Sequence, residues 1–204
     1  LDIPISDVGG NSSGMQRRPS FMTGAALFWS HPAPLCSPPQ PTARPFQTDR
    51  HAMKHLLVIY SSQSGRTADM VAAAIDGAAA LADEVEVRAL PGGDAGIDDL
   101  LWAEGLVIGS PENFGYMAGV IKDFFDRTYY PAQGRTNGLP YALVISAGND
   151  GSGAVRAIER IALGYGWQKV SEPVIARGEL DESALAACRE LGQGLAAGLA
   201  CGVF

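Results

Sequence analysis

Basic charge is the first thing this sequence has little of. Across 204 residues, 15 Lys and Arg stand against 22 Asp and Glu, a net charge of −7. That balance argues against a nucleic-acid partner, because binding a phosphate backbone normally needs a basic face. Cysteine is scarce too: Cys36, Cys188 and Cys201 lie far apart, with no C-x-x-C pair and no histidine at metal-ligand spacing. Neither a disulfide framework nor a metal site is expected from such a pattern. No run approaches the ~18 apolar residues that a bilayer-spanning helix requires, so no membrane span is expected and the folded part is expected to be soluble and cytoplasmic. Two nucleotide fingerprints are missing as well, since neither G-x-G-x-x-G nor G-x-x-x-x-G-K-[ST] follows the first apolar run.

What is present divides unequally. A chain of this length has room for one ordinary domain with a sizeable core. Residues 1–52 hold 8 of the 13 prolines, with Gly, Ser and Gln and almost no periodic apolar pattern. Such a stretch buries too little surface to offset the entropy of ordering it. It is expected to be a disordered Pro-rich extension, leaving residues 53–204 as the folded domain. Arg17-Arg18 ahead of Phe21 to Trp29 faintly resembles an export signal, but Pro19 interrupts the start and no small-x-small site clearly follows.

From Lys54 the pattern changes. Leu56 to Tyr60, Leu106 to Gly109 and Tyr141 to Ser146 are continuous apolar runs, the mark of strands buried on both faces. Glu84 to Leu90 alternates and suits a strand with one exposed side, and Lys169 to Ala176 supplies a fifth strand that Pro173 places at an edge or bulge. Helical periodicity occupies Thr67 to Leu81, Asp98 to Ala103, Met117 to Tyr129, Ala154 to Leu163 and Asp181 to Leu199, the last N-capped by Asp181. Five strands alternating with helices specify a three-layer αβα domain around a parallel sheet. Ligands of such sheets bind outside the carboxyl ends of the strands, where strand order reverses. Three loops qualify: those after Tyr60, Gly109 and Ile145.

In the first loop, Ser61 to Thr67, four of seven residues carry hydroxyls. Unpaired N–H groups and the partial positive charge of a helix N-terminus can hold a phosphate there without lysine, and Gly65 lets the backbone come close. Simple capping by Ser62 or Ser64 is the alternative, but one hydroxyl would satisfy it. With the longer nucleotide motifs absent, a monophosphate cofactor fits better than a dinucleotide or triphosphate. The second loop, Ser110 to Tyr116, offers a stiffening Pro111, a permissive Gly115 and the flat rings of Phe114 and Tyr116; it reads either as a rest for a flat aromatic ligand or as a turn whose aromatics plug the core edge. The third, Ala147 to Gly153, reads by itself as a flexible glycine-rich turn, and its place on the same sheet edge makes it a candidate to line the ring.

These segments resemble the flavodoxin-like superfamily, in particular its small NAD(P)H-dependent FMN and quinone reductase-type members. The resemblance spans about residues 54–200. It is carried by Ser62 to Thr67 and by the run from Gly109 to Met117 that leads into Lys122-Asp123-Phe124-Phe125-Asp126-Arg127. It implies a sheet order of 2-1-3-4-5, with FMN phosphate contacts from Ser62, Gln63, Ser64, Gly65, Arg66 and Thr67. Ring contacts are implied from Pro111, Glu112, Asn113, Phe114 and Gly115, and less securely from Gly148, Asn149 and Gly153. Glu112 and Asn113 depart from the polar residues usual there, and the tetramer-building insertion is missing, which leaves subunit number and acceptor open.

No acid, base or nucleophile constellation is found, and none is needed, because in flavin chemistry the cofactor carries the reaction. Lys122, Asp123, Asp126 and Arg127 read as a solvated helix face of paired charges. The expected function is an FMN oxidoreductase passing reducing equivalents from NAD(P)H to a quinone, a free flavin or a similar small acceptor. The alternative is a flavodoxin-type carrier exchanging single electrons with a redox partner protein, favoured by acidity: residues 53–204 hold 11 Lys and Arg against 19 Asp and Glu, or −8.

Overall fold

Successive side chains of a strand leave on opposite faces, and here both faces of the long strands are covered. In the computed structural model, which describes residues 52–204, β1 (Lys54–Tyr60), β2 (Val85–Pro91), β3 (Gly105–Asn113) and β5 (Pro140–Ala147) run parallel in the order β2-β1-β3-β5. The short segments β6 (Gln168–Lys169) and β7 (Val174–Arg177) both pair parallel with the outer side of β5. This is the 2-1-3-4-5 arrangement, with its fifth place shared by two pieces. The expected extension over residues 1–52 lies, but for Ala52, outside the described residues.

Leu57, Ile59, Leu106, Ile108, Leu143 and Ile145 face one layer, built of α2 (Ile97–Trp102), α3 (Gly119–Ala132) and α4 (Ser152–Tyr165). Leu56, Val58, Val107, Ala142 and Val144 face the other, α1 (Arg66–Ala78) with α5 (Glu182–Ala200). The two layers differ in grain. Small residues bring α1 and α5 together backbone to backbone, so that a Cβ on Gly192 would run into the carbonyl oxygen of Ala74. The opposite layer is aromatic: the Tyr165 and Trp167 rings stack at 4.3 Å, and the Tyr165 hydroxyl donates to the carbonyl of Phe125 at 2.9 Å. Asp181 caps α5 as expected, its carboxylate accepting the N–H of Ala184 at 2.8 Å.

Three elements depart from expectation. The stretch after Gly109 is not an irregular loop. β3 continues to Asn113 and folds back through β4 (Tyr116–Met117), pairing Glu112 with Met117 and Asn113 with Tyr116. That hairpin needs positive φ at both turn residues. Gly115 supplies it at 72°, and Phe114 adopts it at 52°, a conformation that bulky residues seldom take, so the turn was hidden in the sequence. Next, α3 runs through Pro131 to Ala132 rather than stopping at Tyr129. Finally, the fifth strand is broken: Tyr141 pairs with Lys169 and Val144 with Val174, so two residues of β5 face four of the edge strand. The excess contains Pro173, which has no N–H to donate to the ladder.

Burial pushes the Tyr165 phenol up to about 12, and burial with nearby Glu159 does the same for Tyr141. Free phenols ionise near 10. As pH rises above about 10 the unfolded chain loses these protons first, so the stability the two groups contribute is whole below that point and is lost towards about 12. A thermal melt series should show Tm falling across that window. Tyr165→Phe should make the fall shallower, and an unchanged slope would refute the assignment.

Candidate functional site

β1 brings the chain to the carboxyl edge of the sheet, where the Ser61 N–H donates to the carbonyl of Gly109 at 2.9 Å. The backbone then turns at Gly65, φ 90°, and enters α1 at Arg66. The Ser62 hydroxyl accepts the N–H of Ala68 at 3.2 Å, so one hydroxyl does serve as a cap. The N–H groups of Gln63 to Thr67 meet no acceptor among the described residues. Successive free N–H groups at the positive end of a helix form a cradle for an anion. Ser64 stands exposed beside it. Thr67 is buried, its Oγ1 2.8 Å from the Oγ of Ser146 on β5. The Arg66 guanidinium donates to the carbonyl of Gly178 beyond β7, tying this loop to the sheet's far edge.

Neighbouring β3 pairs with β5 as far as Pro111 opposite Ser146, then projects past it. Pro111, Glu112 and Asn113 are half-buried on this projection, and Phe114 and Gly115 form its exposed tip. Phe114 reaches 109% relative exposure, so its ring plugs no core. The Glu112 carboxylate is engaged by the third loop, accepting N–H groups from Gly151 at 3.2 Å, Gly153 at 2.9 Å and Ala154 at 3.4 Å. It caps α4 from another strand, and a negative charge at a helix N-terminus is favourable. Contact is so close that a Cβ on Gly153 would collide with the carbonyl oxygen of Gly115. Gly148, Asn149 and Asp150 are exposed, and the Ser152 N–H and hydroxyl both donate to the Asp150 carboxylate, holding it below the usual range.

All three loops therefore lie along one edge: Glu112 bonds the second to the third, and the first is bonded to the strand ends that lead into them. A monophosphate with an attached flat ring fits this donor set: five free N–H groups at one end, and a rigid hairpin beside a glycine-rich turn at the other. Two polar residues escaped the sequence reading. Ser110, within β3, and Ser146, near the end of β5, are buried; the Ser110 hydroxyl accepts the N–H of Ala118 at 2.9 Å and fixes the start of α3. Their signal was a hydroxyl closing an otherwise apolar run. As read, Lys122 pairs with Asp126 and Arg127 with Asp123, both at i, i+4.

The fold and this edge define a flavodoxin-like flavoprotein scaffold. Residues 53–179 match the family described as NADPH-dependent FMN reductase, and the chain belongs to it. It is thereby an FMN-binding flavoprotein of the oxidoreductase and electron-carrier class. A flavodoxin of Aquifex aeolicus (strain VF5) is 31% identical over 160 residues, covering 71% of this chain and 86% of that protein. Among solved structures, a flavodoxin from the domain Archaea superposes with TM-score 0.62 at 23% identity, covering 71% of this chain and 98% of the other. A WrbA-like flavodoxin from Agrobacterium tumefaciens gives 0.60 at 20% identity, with 73% and 98% covered. No helix among the described residues is long and apolar enough to cross a membrane.

Replacing Glu112 removes the shared acceptor for three N–H groups. Glu112→Ala should lower the unfolding free energy by about 1–2 kcal/mol, and Glu112→Gln, which keeps an oxygen but not the charge, by less. Chemical denaturation reads both values, and equal stability of all three proteins would show that the cap is idle.

Proposed function

We propose that this protein is an NAD(P)H-dependent FMN oxidoreductase that reduces a quinone, a free flavin or a similar small acceptor in the cytoplasm. The observation that carries the reading is the row of free N–H groups from Gln63 to Thr67 at the start of α1, one strand away from the β3 hairpin. Ser64 and the N–H groups of Gln63, Gly65, Arg66 and Thr67 would hold the phosphate, with Ser62 bracing the turn. Pro111, Asn113, Phe114, Gly115, Gly148 and Asn149 would border the ring. Glu112 and Gly153 would keep the second and third loops at fixed separation. Bound FMN supplies hydride and electron transfer; the protein supplies orientation and a set of preorganised dipoles.

A second reading, a flavodoxin-type carrier serving a redox partner protein, is supported by the Aquifex relative and by the acidic surface, which would steer basic partners. Anaerobic addition of NADPH or NADH to the FMN-loaded protein separates the two. Rapid flavin bleaching followed by turnover with benzoquinone supports the reductase. Indifference to both nucleotides, together with reduction by dithionite in two resolved one-electron steps, supports the carrier. A chain that binds no FMN would remove both.

Ser64→Ala should weaken FMN binding roughly tenfold or more, the value of a hydrogen bond to a charged group, without lowering Tm. Thr67→Val should cost stability as well, because Ser146 loses its buried partner. Fluorescence titration of FMN measures the affinity, and an unweakened Ser64→Ala protein would sink the phosphate assignment.

A further inference from the structure

We propose that Ser146 is a positioning residue for the flavin phosphate: through its bond to Thr67 it holds the start of α1 where the free N–H groups converge on that phosphate. The inference rests on the phosphate assignment above. It gives a role in cofactor selection to a side chain on β5, a strand that does not adjoin β1.

The strand pattern explains how a residue of β5 reaches α1 at all. Alternate residues of a strand share a face. Ala142 and Val144 face the layer of α1 and α5, so Ser146 faces it too. Between β1 and β5 lies β3, and over it, at the same edge, comes Gly109. A Cβ on Gly109 would stand 2.5 Å from Cγ2 of Val71 and 3.4 Å from Cγ2 of Thr67. The first two turns of α1 therefore rest on a strand position that has no side chain. Thr67 thereby passes over β3, and its Oγ1 meets the Oγ of Ser146 at 2.8 Å. Both residues are buried, and neither hydroxyl has another partner among the described residues.

This bond is one of two anchors that bracket the phosphate cradle. At the near end the Ser61 N–H donates to the carbonyl of Gly109 at 2.9 Å; at the far end Thr67 is held by Ser146. The free N–H groups run from Gln63 to Thr67 between them. Several donors serve one anion only if each is held to within about half an ångström. An apolar pair, Val with Ala, would fill the same space with nothing to desolvate, but it would fix neither a distance nor an angle. A buried, mutually satisfied hydroxyl pair fixes both. Riboflavin carries the same ring as FMN without the phosphate, so the cradle and its anchors act on one flavin and not on the other.

The test loads the full chain with FMN or with riboflavin and follows, by flavin fluorescence, the release of each on serial dilution. Ser146→Ala should weaken FMN binding about three- to tenfold, the value of one hydrogen bond, and leave riboflavin affinity as in the wild type. Because Ser146 acts through Thr67, Ser146→Ala should cost nothing further in a Thr67→Val background, the non-additivity expected of residues in contact. Should Ser146→Ala alone not fold, the double variant, which leaves no buried hydroxyl without a partner, carries the test: its preference for FMN over riboflavin must fall below that of the wild type. Equal weakening of both flavins, or unchanged FMN affinity, overturns the proposal. If Ser64→Ala loses FMN affinity and Ser146→Ala does not, the phosphate assignment stands and only the role of Ser146 falls. A wild-type protein that binds the two flavins equally would remove the phosphate assignment and this inference with it.

Discussion

The carboxyl edge of this molecule depends on the overhang of β3. Its neighbours stop earlier, β1 opposite Gly109 and β5 just beyond Ser146, whereas β3 runs on to Asn113. An unpaired strand end in water would leave a row of backbone groups without partners. The hairpin with β4 pairs them, and Glu112 on the same projection captures the N-terminus of α4. One segment of chain therefore sets the height of the second loop and the position of the third. The cost is the positive φ of Phe114, which places a large ring wholly in solvent beside the proposed flavin edge.

Beneath that edge the two helical layers do different work. Glycine and alanine at the α1–α5 contact let the helices approach until backbones touch, which fixes the axis of α1 and thereby the direction of its N-terminal dipole. Such close packing leaves little freedom to repack. The opposite layer is filled by Phe124, Phe125, Tyr165 and Trp167, and a cavity of about 710 Å³ lies between α3 and α4. Close packing thus lies under the proposed phosphate loop, and the open volume lies in the opposite layer.

Electrostatically, an acidic protein that handles phosphates presents a contradiction only at the level of net charge. The proposed phosphate cradle needs no lysine, since successive N–H groups and a helix dipole supply local positive potential in a chain that is −7 overall. Net charge acts at long range and is screened within about 10 Å at ordinary salt. The α1 N-terminus acts at contact distance, where the composition of the whole chain has little influence.

The sequence by itself determined the layers, the order of buried strands and helices, and the first loop, because these rest on local periodicity: unbroken apolar runs such as Leu56 to Ile59, i, i+3, i+4 stripes such as Ile121, Phe124 and Phe125, and hydroxyls bunched ahead of a helix. Asp181 as a cap and Pro173 as the fault in the edge strand were legible for the same reason, each acting on backbone within a few residues of itself. Only the tertiary structure decided what Glu112 and Ser146 do. The Glu112 carboxylate, for which the resemblance implies a ring contact, also holds a helix about forty residues away, and Ser146 closes a bond to Thr67 on the far side of the sheet order. Such roles depend on distances between segments remote in sequence, and neither composition nor periodicity encodes a distance.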